Sequence, residues 1–448
     1  MKKFIESLIN VWKIEELKNR ILITLGILLV YRFGAQVTLP GIDATQLAGL
    51  AGQTKEGIGS ILDMFTGGAF SQASVFALGI MPYISASIVV QLMGIAIPYL
   101  QKLQSDGESG RKKINQITRW LTIGITLVQG PGYIYNLYRT LPSSAFLLGF
   151  NSFEFLFSSV IILVTGTIFA MWLGEKITDK GIGNGISLLI MVGILARFPQ
   201  AFIQEFAARV TNNNGGPMLL VIEIIIWLLI IISCVLLVMA IRKIPVQYAR
   251  RTTSGDFEKD MMGGNRQWIP LKLNAAGVMP IIFAQAIMFI PAAVAGLSKS
   301  DASQSIVGAF SNMFGFWYNL VFATLIVVFT FFYTAITIPT NKMSDDLKRS
   351  GGFIPGIRPG VETSDFLDKV MSLITFPGSL FLAFIAVFPA IIVSIMDVQQ
   401  SWAMFFGGTS LIIMVGVAID TIQQINSYLL NKHYDGLMKS GKNRKAVA

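Results

Sequence analysis

About ten stretches of this chain are long and apolar enough to cross a lipid bilayer, and this pattern constrains the fold more than any other feature of the sequence. A spanning helix needs about 20 apolar residues. Hydrophobic residues make up 53% of the 448 residues and charged residues only 13%, which is too little charge to cover a soluble globule of this length. The sequence therefore predicts an all-α integral membrane protein with ten transmembrane helices. The predicted spans are 21–38, 75–97, 118–138, 153–174, 184–204, 218–240, 274–295, 315–338, 370–396 and 405–430.

The basic residues concentrate in every second loop. Cytoplasmic loops of membrane proteins are enriched in Lys and Arg. If the N-terminus lies inside, the inner segments hold 29 of the 35 Lys and Arg residues. Both termini are therefore predicted to be cytoplasmic, and the net charge of +10 mainly reflects this orientation. A basic cytoplasmic surface also suits an RNA-bearing partner, through its phosphate backbone. The inner segments are 1–20, 98–119, 175–183, 241–273, 339–369 and 431–448.

The first 20 residues have the pattern of an amphipathic helix that lies on the cytoplasmic membrane surface. No cleavable signal peptide is evident, because the first apolar run has full span length and lacks a small-residue cleavage site. Residues 431–448 are predicted to form a charged cytoplasmic tail. The apolar face of the first segment consists of Phe4, Ile5, Leu8, Ile9 and Trp12.

The composition excludes several kinds of chemistry. The chain has one cysteine, Cys234, and one histidine, His433, so disulfides and metal sites built from several Cys or His residues are excluded by counting. We expect no catalytic residue, no metal and no cofactor. Glu223 and Asp420 are the two clear acidic residues within predicted spans, away from the span ends. An ion-coupled transporter usually has more of them.

The spans divide into two groups of five around the outer loop at 205–217. Because each group has an odd number of spans, the second half must begin on the opposite side of the membrane from the first. Related halves would then be inverted with respect to each other, with a pathway or site at their interface. We therefore predict an N-terminal half at 21–204, an external hinge loop at 205–217 and a C-terminal half at 218–430.

The stretch 39–74 does not fit a simple loop. Its second part, from Ser60 to Ser71, has helical apolar spacing but is too short to span a membrane. Such a segment is either re-entrant, folded into a cavity, or a helix on the outer surface, and the pattern alone favours neither. Prolines at Pro82 and Pro280 are expected to bend spans 2 and 7.

Six sequence strings together match one known family. In their order along the chain they resemble the SecY family of bacterial protein-conducting channel subunits, from the first span to the last. The resemblance implies a passive channel, and not an enzyme, in the bacterial cytoplasmic membrane. The strings are ALGIMPYISAS (77–87), GESGRKKINQ (107–116), GEKITDKGIGNGISL (174–188), IPVQYARR (244–251), GGFIPGIRPG (351–360) and FGGTSLII (406–413).

The resemblance implies a fold of two five-helix halves around an hourglass pore with an apolar constriction. It also implies a short plug helix at about 60–72, which favours the re-entrant alternative. Met279 departs from the isoleucine usual in the family, but its adaptable thioether should still seal. Without the resemblance, ordinary packing would be the preferred interpretation for all of these residues. The implied ring is Ile80, Ile84, Ile186, Ile190, Met279 and Ile413, and the implied plug residues are Ile61, Leu62, Met64, Phe65, Gly67 and Gly68.

A lateral gate is implied between spans 2 and 7, with Ser85, Gln91 and Asn274 as polar residues that bridge it when closed. The loops 241–273 and 339–369 resemble the family's docking surface, where Arg250, Arg251 and Arg358 stand in the matching motifs. The implied partners are the SecE and SecG subunits, the SecA motor, the ribosome, signal-sequence-bearing preproteins and membrane lipid, with SecDF and YidC as auxiliary proteins. A secondary transporter with inverted repeats is the alternative function.

Overall fold

The computed structural model describes residues 12, 14–47, 58–146, 152–210, 216–248, 266–295 and 313–445, and helices dominate this part of the chain. The elements before residue 240 are all helical. They are α1 (Glu15–Gly34), α2 (Ile58–Thr66), α3 (Met81–Ala96), α4 (Pro98–Ser105), α5 (Gly107–Thr140), α6 (Ser152–Lys180), α7 (Gly185–Val210) and α8 (Gly216–Met239).

The later elements combine long helices with three short strands. They are β1 (Ile241–Tyr248), β2 (Arg266–Lys272), α9 (Met279–Ala295), α10 (Phe316–Thr337), α11 (Thr340–Arg349), β3 (Gly352–Phe353), α12 (Val361–Met396), α13 (Gln400–Ala403) and α14 (Gly408–Lys445).

A helix covers most of each of the ten predicted spans. Within the described ranges, six helices are long and apolar enough to cross a membrane alone, or seven if the bent pair α3 and α4 counts as one span. The remaining helices are shorter or carry charged and polar residues along part of their length. The amphipathic segment predicted at 1–20 lies mostly outside the described residues, which show helix α1 from Glu15 onward.

The predicted bends at Pro82 and Pro280 are wrong. Helix α3 begins at Met81 and helix α9 at Met279, so each proline is the second residue of its helix. In the first turn the missing proline N–H has no hydrogen bond to lose, and the fixed φ angle suits the helix. Each proline therefore begins a helix, and residues 75–80 and 274–278 are turns. The sharp bend lies instead before Pro98, where α3 and α4 meet at 106°.

The chain forms two compact units. The first consists of Met1–Asn214, Gln399–Trp402 and Val417–Ala448. Its largest described core is built where loops and helix ends meet, and Leu62 of α2 packs against that core. The core includes Leu39, Ile42, Leu47, Phe70, Ala73, Ala77, Tyr133, Ile134, Leu137, Leu141, Ala145, Phe155, Val160 and Leu163.

The second unit, Gly215–Val398 with Ala403–Gly416, contains a small antiparallel sheet that the sequence did not predict. Its strand order is β2–β1–β3. Pro245 in β1 argues against a strand from sequence alone. It is tolerated because β1 pairs with β3 only at Gln247 and Tyr248, so Pro245 faces β2 alone. The inner face buries Ile244 and Val246 against the helices around it.

Candidate channel site

The segment between the first two spans forms a short buried helix, α2. The helix ends at Thr66 because Gly67 and Gly68 adopt left-handed backbone angles, with φ of +65° and +97°. The helical part is therefore 58–66, and the remainder of the predicted 60–72 segment is a series of turns. Met64 and Phe65 are buried, which excludes an exposed surface helix. The side chain of Ile61 lies outside the described residues.

The C-terminal end of α2 approaches two other stretches of backbone very closely. A Cβ atom placed on Gly67 would lie 2.7 Å from the Cα of Gly193 in α7. A Cβ atom on Gly79 would lie 2.9 Å from the methyl carbon of Thr66. Gly79 directly precedes Ile80, and Gly193 lies less than one helical turn after Ile190. The end of α2 therefore sits beside the chain segments that carry four of the predicted ring residues.

Polar contacts also hold α2, and the sequence did not reveal them. Asp63 pairs with Arg197 of α7, and its other carboxylate oxygen accepts a hydrogen bond of 2.8 Å from the backbone N–H of Ser71. Arg32 of α1 donates to the carbonyl oxygen of Gly67 over 3.0 Å. In the sequence, Arg32 and Arg197 are two of the six basic residues outside the predicted inner segments. An arginine inside an apolar span is a functional candidate, and that signal could have identified Arg197.

Four predicted ring residues lie in the first unit. Ile80 caps the start of α3 and Ile84 follows one turn later, while Ile186 and Ile190 lie in the first two turns of α7. Ile80, Ile84 and Ile190 are buried. Ile186 is half-buried, and its side chain is close to Gly174 of α6. Both pairs have the i,i+4 spacing that places side chains on one helix face.

The other two predicted ring residues lie in the second unit. Met279 is the first residue of α9 and is half-buried. Ile413 lies in the second turn of α14 and is buried. All six side chains are uncharged and aliphatic or thioether in character, as a ring that binds no ion would require.

The predicted lateral-gate residues show local hydrogen bonds in the structure. Ser85 donates to the carbonyl oxygen of Met81 over 3.1 Å, and the amide of Gln91 donates to the hydroxyl oxygen of Ser87 over 3.3 Å. Asn274 is buried, and its side-chain oxygen has no hydrogen-bond partner within the described residues. A buried amide oxygen without a donor is costly, so Asn274 is well suited to bind a donor from elsewhere.

The predicted docking residue Arg358 lies in a loop that is fixed at several points. The hydroxyl of Thr363 donates to the carbonyl oxygen of Arg358 over 2.8 Å, and Ser344 donates to that of Gly360 over 2.6 Å. The Arg358 side chain itself is 87% exposed and lies 3.9 Å from Glu362. The loop therefore presents a solvated guanidinium at a defined position. Arg250 and Arg251 lie outside the described residues.

Comparison with known proteins decides the family. The SecY family model matches residues 74–422. The protein translocase subunit SecY of Haemophilus influenzae is 41% identical over 95% of this chain and 94% of its own length. Those of Thermotoga maritima and Escherichia coli K12 are each 38% identical over at least 94% of either chain. The chain belongs to the SecY family. It is a pore-forming subunit of a protein translocation channel, in a family of channels and not of enzymes.

Solved structures agree on the fold of this SecY family member. A protein-conducting channel matches with a TM-score of 0.54 at 16% identity, over 92% of both chains. A SecY protein whose plug domain stabilises the closed state matches with a TM-score of 0.58 at 17% identity, again over 92% of both chains. The chain is therefore a multi-pass membrane protein with the fold of the SecY channels, as the sequence predicted.

Proposed function

We propose that this chain is the central subunit of a Sec translocon in a bacterial cytoplasmic membrane. It passes unfolded preproteins across the membrane and releases transmembrane segments sideways into lipid. The chain does no chemistry, and energy comes from a motor or from translation. The secondary-transporter alternative is disfavoured because the candidate pore positions are aliphatic and offer no polar substrate site.

One observation carries the mechanism of closure. The end of helix α2 lies against Gly79 and Gly193, directly beside the positions of Ile80 and Ile190. A helix buried at that place blocks the path next to the ring, as a plug does. Leu62, Met64 and Phe65 supply the apolar surface that keeps water out of the blocked path.

The ring forms the second barrier in this proposal. Ile80, Ile84, Ile186, Ile190, Met279 and Ile413 together close a narrow apolar throat, in which water loses hydrogen bonds that nothing replaces. Flexible aliphatic side chains then fit around a passing peptide without binding it strongly. The Gly193 contact of the plug belongs to the same helix as Ile186 and Ile190, which supports a joint role of plug and ring.

The gate opens between the halves 21–204 and 218–430, which hinge at 205–217. Ser85, Gln91 and Asn274 hold it closed, since a hydrogen bond between membrane helices contributes about 0.6–2 kcal/mol. The side-chain oxygen of Asn274 supports this role, because it is buried and has no hydrogen-bond partner in the described part of the chain. An apolar signal sequence opens the gate because its core gains free energy on moving into lipid.

The orientation follows from the basic loops, with both termini cytoplasmic. We expect Ser350→Cys to react with a membrane-impermeant thiol reagent from the cytoplasmic side only. Ser350 is exposed after helix α11. The matched control is Ser144→Cys, an exposed position in the predicted outer loop after α5, which should react from the outside only. Labelling of position 350 from outside would contradict the topology. The native cysteine, Cys234, is buried and should not compete.

The cytoplasmic loops dock the partners of the channel. A Sec61 channel in a canine ribosome complex is among the proteins with a similar fold. We propose that SecE and SecG complete the channel, that SecA and the ribosome bind the loops around Arg250, Arg251 and Arg358, and that SecDF and YidC assist. The defined loop and the exposed guanidinium of Arg358 support this role, because arginine suits phosphate and carboxylate partners.

We expect Arg358→Glu to slow motor-dependent export severalfold while the protein still folds and inserts. The exposed side chain makes the folding cost small, within about 0.5 kcal/mol, whereas the reversed charge repels an acidic or phosphate-bearing surface. Export by inverted membrane vesicles with purified motor is the measurement. Lys348→Glu, an exposed reversal nearby on α11, is the control and should have little effect. Equal export rates for Arg358→Glu and wild type would argue against docking at this loop.

A further inference from the structure

The plug helix is held by charged groups as well as by apolar packing. Asp63, in the middle of α2, pairs with Arg197, and their side chains are only 13% and 25% exposed. The same guanidinium nitrogen donates to the hydroxyl oxygen of Ser71 over 2.7 Å. Asp63 in turn accepts a hydrogen bond from the N–H of Ser71. One ion pair therefore ties together the plug helix, the turn that follows it and helix α7.

A second arginine holds the C-terminal end of the same helix. Arg32 of α1 donates to the carbonyl oxygen of Gly67, the residue that follows the last residue of α2. The C-terminal carbonyl groups of a helix have no partner within the helix and carry partial negative charge. Arg32 binds the carbonyl oxygen directly after these groups, and its positive charge lies close to the negative end of the helix. Helices α1 and α7 thus each contribute one arginine to the seated plug.

These contacts are lost together when the plug moves. A partly buried charge without its partner is strongly unfavourable, because the cost of desolvation is no longer offset. Displacing α2 separates Asp63 and Arg197, and it takes the Gly67 carbonyl away from Arg32. Apolar contacts weaken gradually with distance, whereas charge-assisted hydrogen bonds depend steeply on geometry. The plug therefore resists small displacements and is released in one step.

We infer that Asp63, Arg197 and Arg32 form an electrostatic latch that sets how strong a signal sequence must be to open this channel. The inference rests on the proposed role of α2 as the plug and adds the residues that determine its release. A signal sequence that stabilises the open state too weakly does not compensate for the broken latch, and its preprotein is rejected. Specificity for functional signal sequences is thus encoded partly in three residues outside the gate and the ring.

The test is a double-mutant cycle in the full chain, purified with its partner subunits. The variants are Asp63→Asn, Arg197→Gln and the two combined. Asp63→Asn removes the charge at constant side-chain size, and Arg197→Gln removes the charge while keeping a shorter polar side chain. Each single change should raise the resting conductance in planar bilayers by roughly tenfold. It should raise the export of a reporter with a defective signal sequence by a similar factor. This factor corresponds to the contribution of one charge-assisted hydrogen bond. The double variant should resemble either single variant, because both break the same pair. Arg139→Gln, an exposed residue at the end of α5, is the matched control.

A second readout separates the latch from the plug's sealing role. Leu62→Cys, in a chain with Cys234→Ser, reports plug position through its reaction with a thiol reagent added outside. Faster reaction in the Asn and Gln variants, together with conductance, supports the inference. Faster reaction with unchanged conductance would uphold the latch but overturn the plug as a seal. Unchanged reaction rates, or fully additive effects of the two substitutions, would overturn the latch.

Discussion

The double substitution Ile84→Asn with Ile413→Asn is expected to make the resting channel conduct ions. A narrow aliphatic throat excludes water because it offers no hydrogen bonds in place of those that water loses. Two amides provide donors and acceptors at that place and lower the barrier to wetting. Both residues are buried, at 9% and 2% exposure, so the polar groups also destabilise the closed packing around them. The conductance of the purified complex in planar bilayers is the measurement.

A channel with the same two substitutions should also export preproteins with defective signal sequences more readily. The reason is that its closed state is less stable relative to the open state, so a weaker signal sequence can open it. The control is Ile84→Leu with Ile413→Leu, which conserves volume and apolar character and should remain closed. If the asparagine variant shows the resting conductance of wild type, these residues do not form the seal. The proposed ring would then have to be abandoned, although membership in the SecY family would stand.

The membrane spans were predictable because hydrophobicity and length are local properties of the sequence. The short helix at 58–66 was visible for the same reason, as an apolar segment too short to span. The starts of α3 and α9 were predicted wrongly. Each proline lies inside an apolar run and was expected to bend a span, whereas it stands in the first turn of a helix that begins there. Strands β1 and β2 were missed because Pro245 and Pro270 interrupt the alternating pattern of a strand.

The contacts that hold the candidate plug were not predictable. Asp63 and Arg197 are 134 positions apart in the chain, and no local pattern pairs them. The i,i+4 spacing of Ile186 and Ile190 places them on one helix face, but only the packing of α2 against Gly193 brings α2 close to the helix that carries them. The sequence shows residue types suited to a seal, whereas long-range packing determines which polar groups contact α2.

Gly193→Leu is expected to unseat the plug without unfolding the protein. A Cβ atom on Gly193 would lie 2.8 Å from the carbonyl oxygen of Phe65 and 3.3 Å from the amide nitrogen of Gly67. Both are backbone atoms, so a change of side-chain rotamer cannot relieve the clash. Either α7 or α2 must therefore move. Helix α7 is fixed along its length within the first unit and ends in the buried Glu205–Arg209 ion pair. The nine-residue α2 is the element that yields.

Forcing a side chain into a packed site typically costs about 1–3 kcal/mol, which corresponds to a shift of about 5- to 150-fold from the seated to the displaced plug. Resting conductance should rise accordingly, and a cysteine at position 62 should become accessible from outside. Gly193→Ala should show a smaller effect in the same direction. Gly124→Leu on α5 is the matched control, because a Cβ atom there meets nothing within 4 Å. If Gly193→Leu inserts normally, matches the control in thermal unfolding and still conducts no more than wild type, then α2 is not what closes the channel. A loss of folded protein in Gly193→Leu alone would instead show that the plug and α7 form one rigid core, which would contradict a plug that moves.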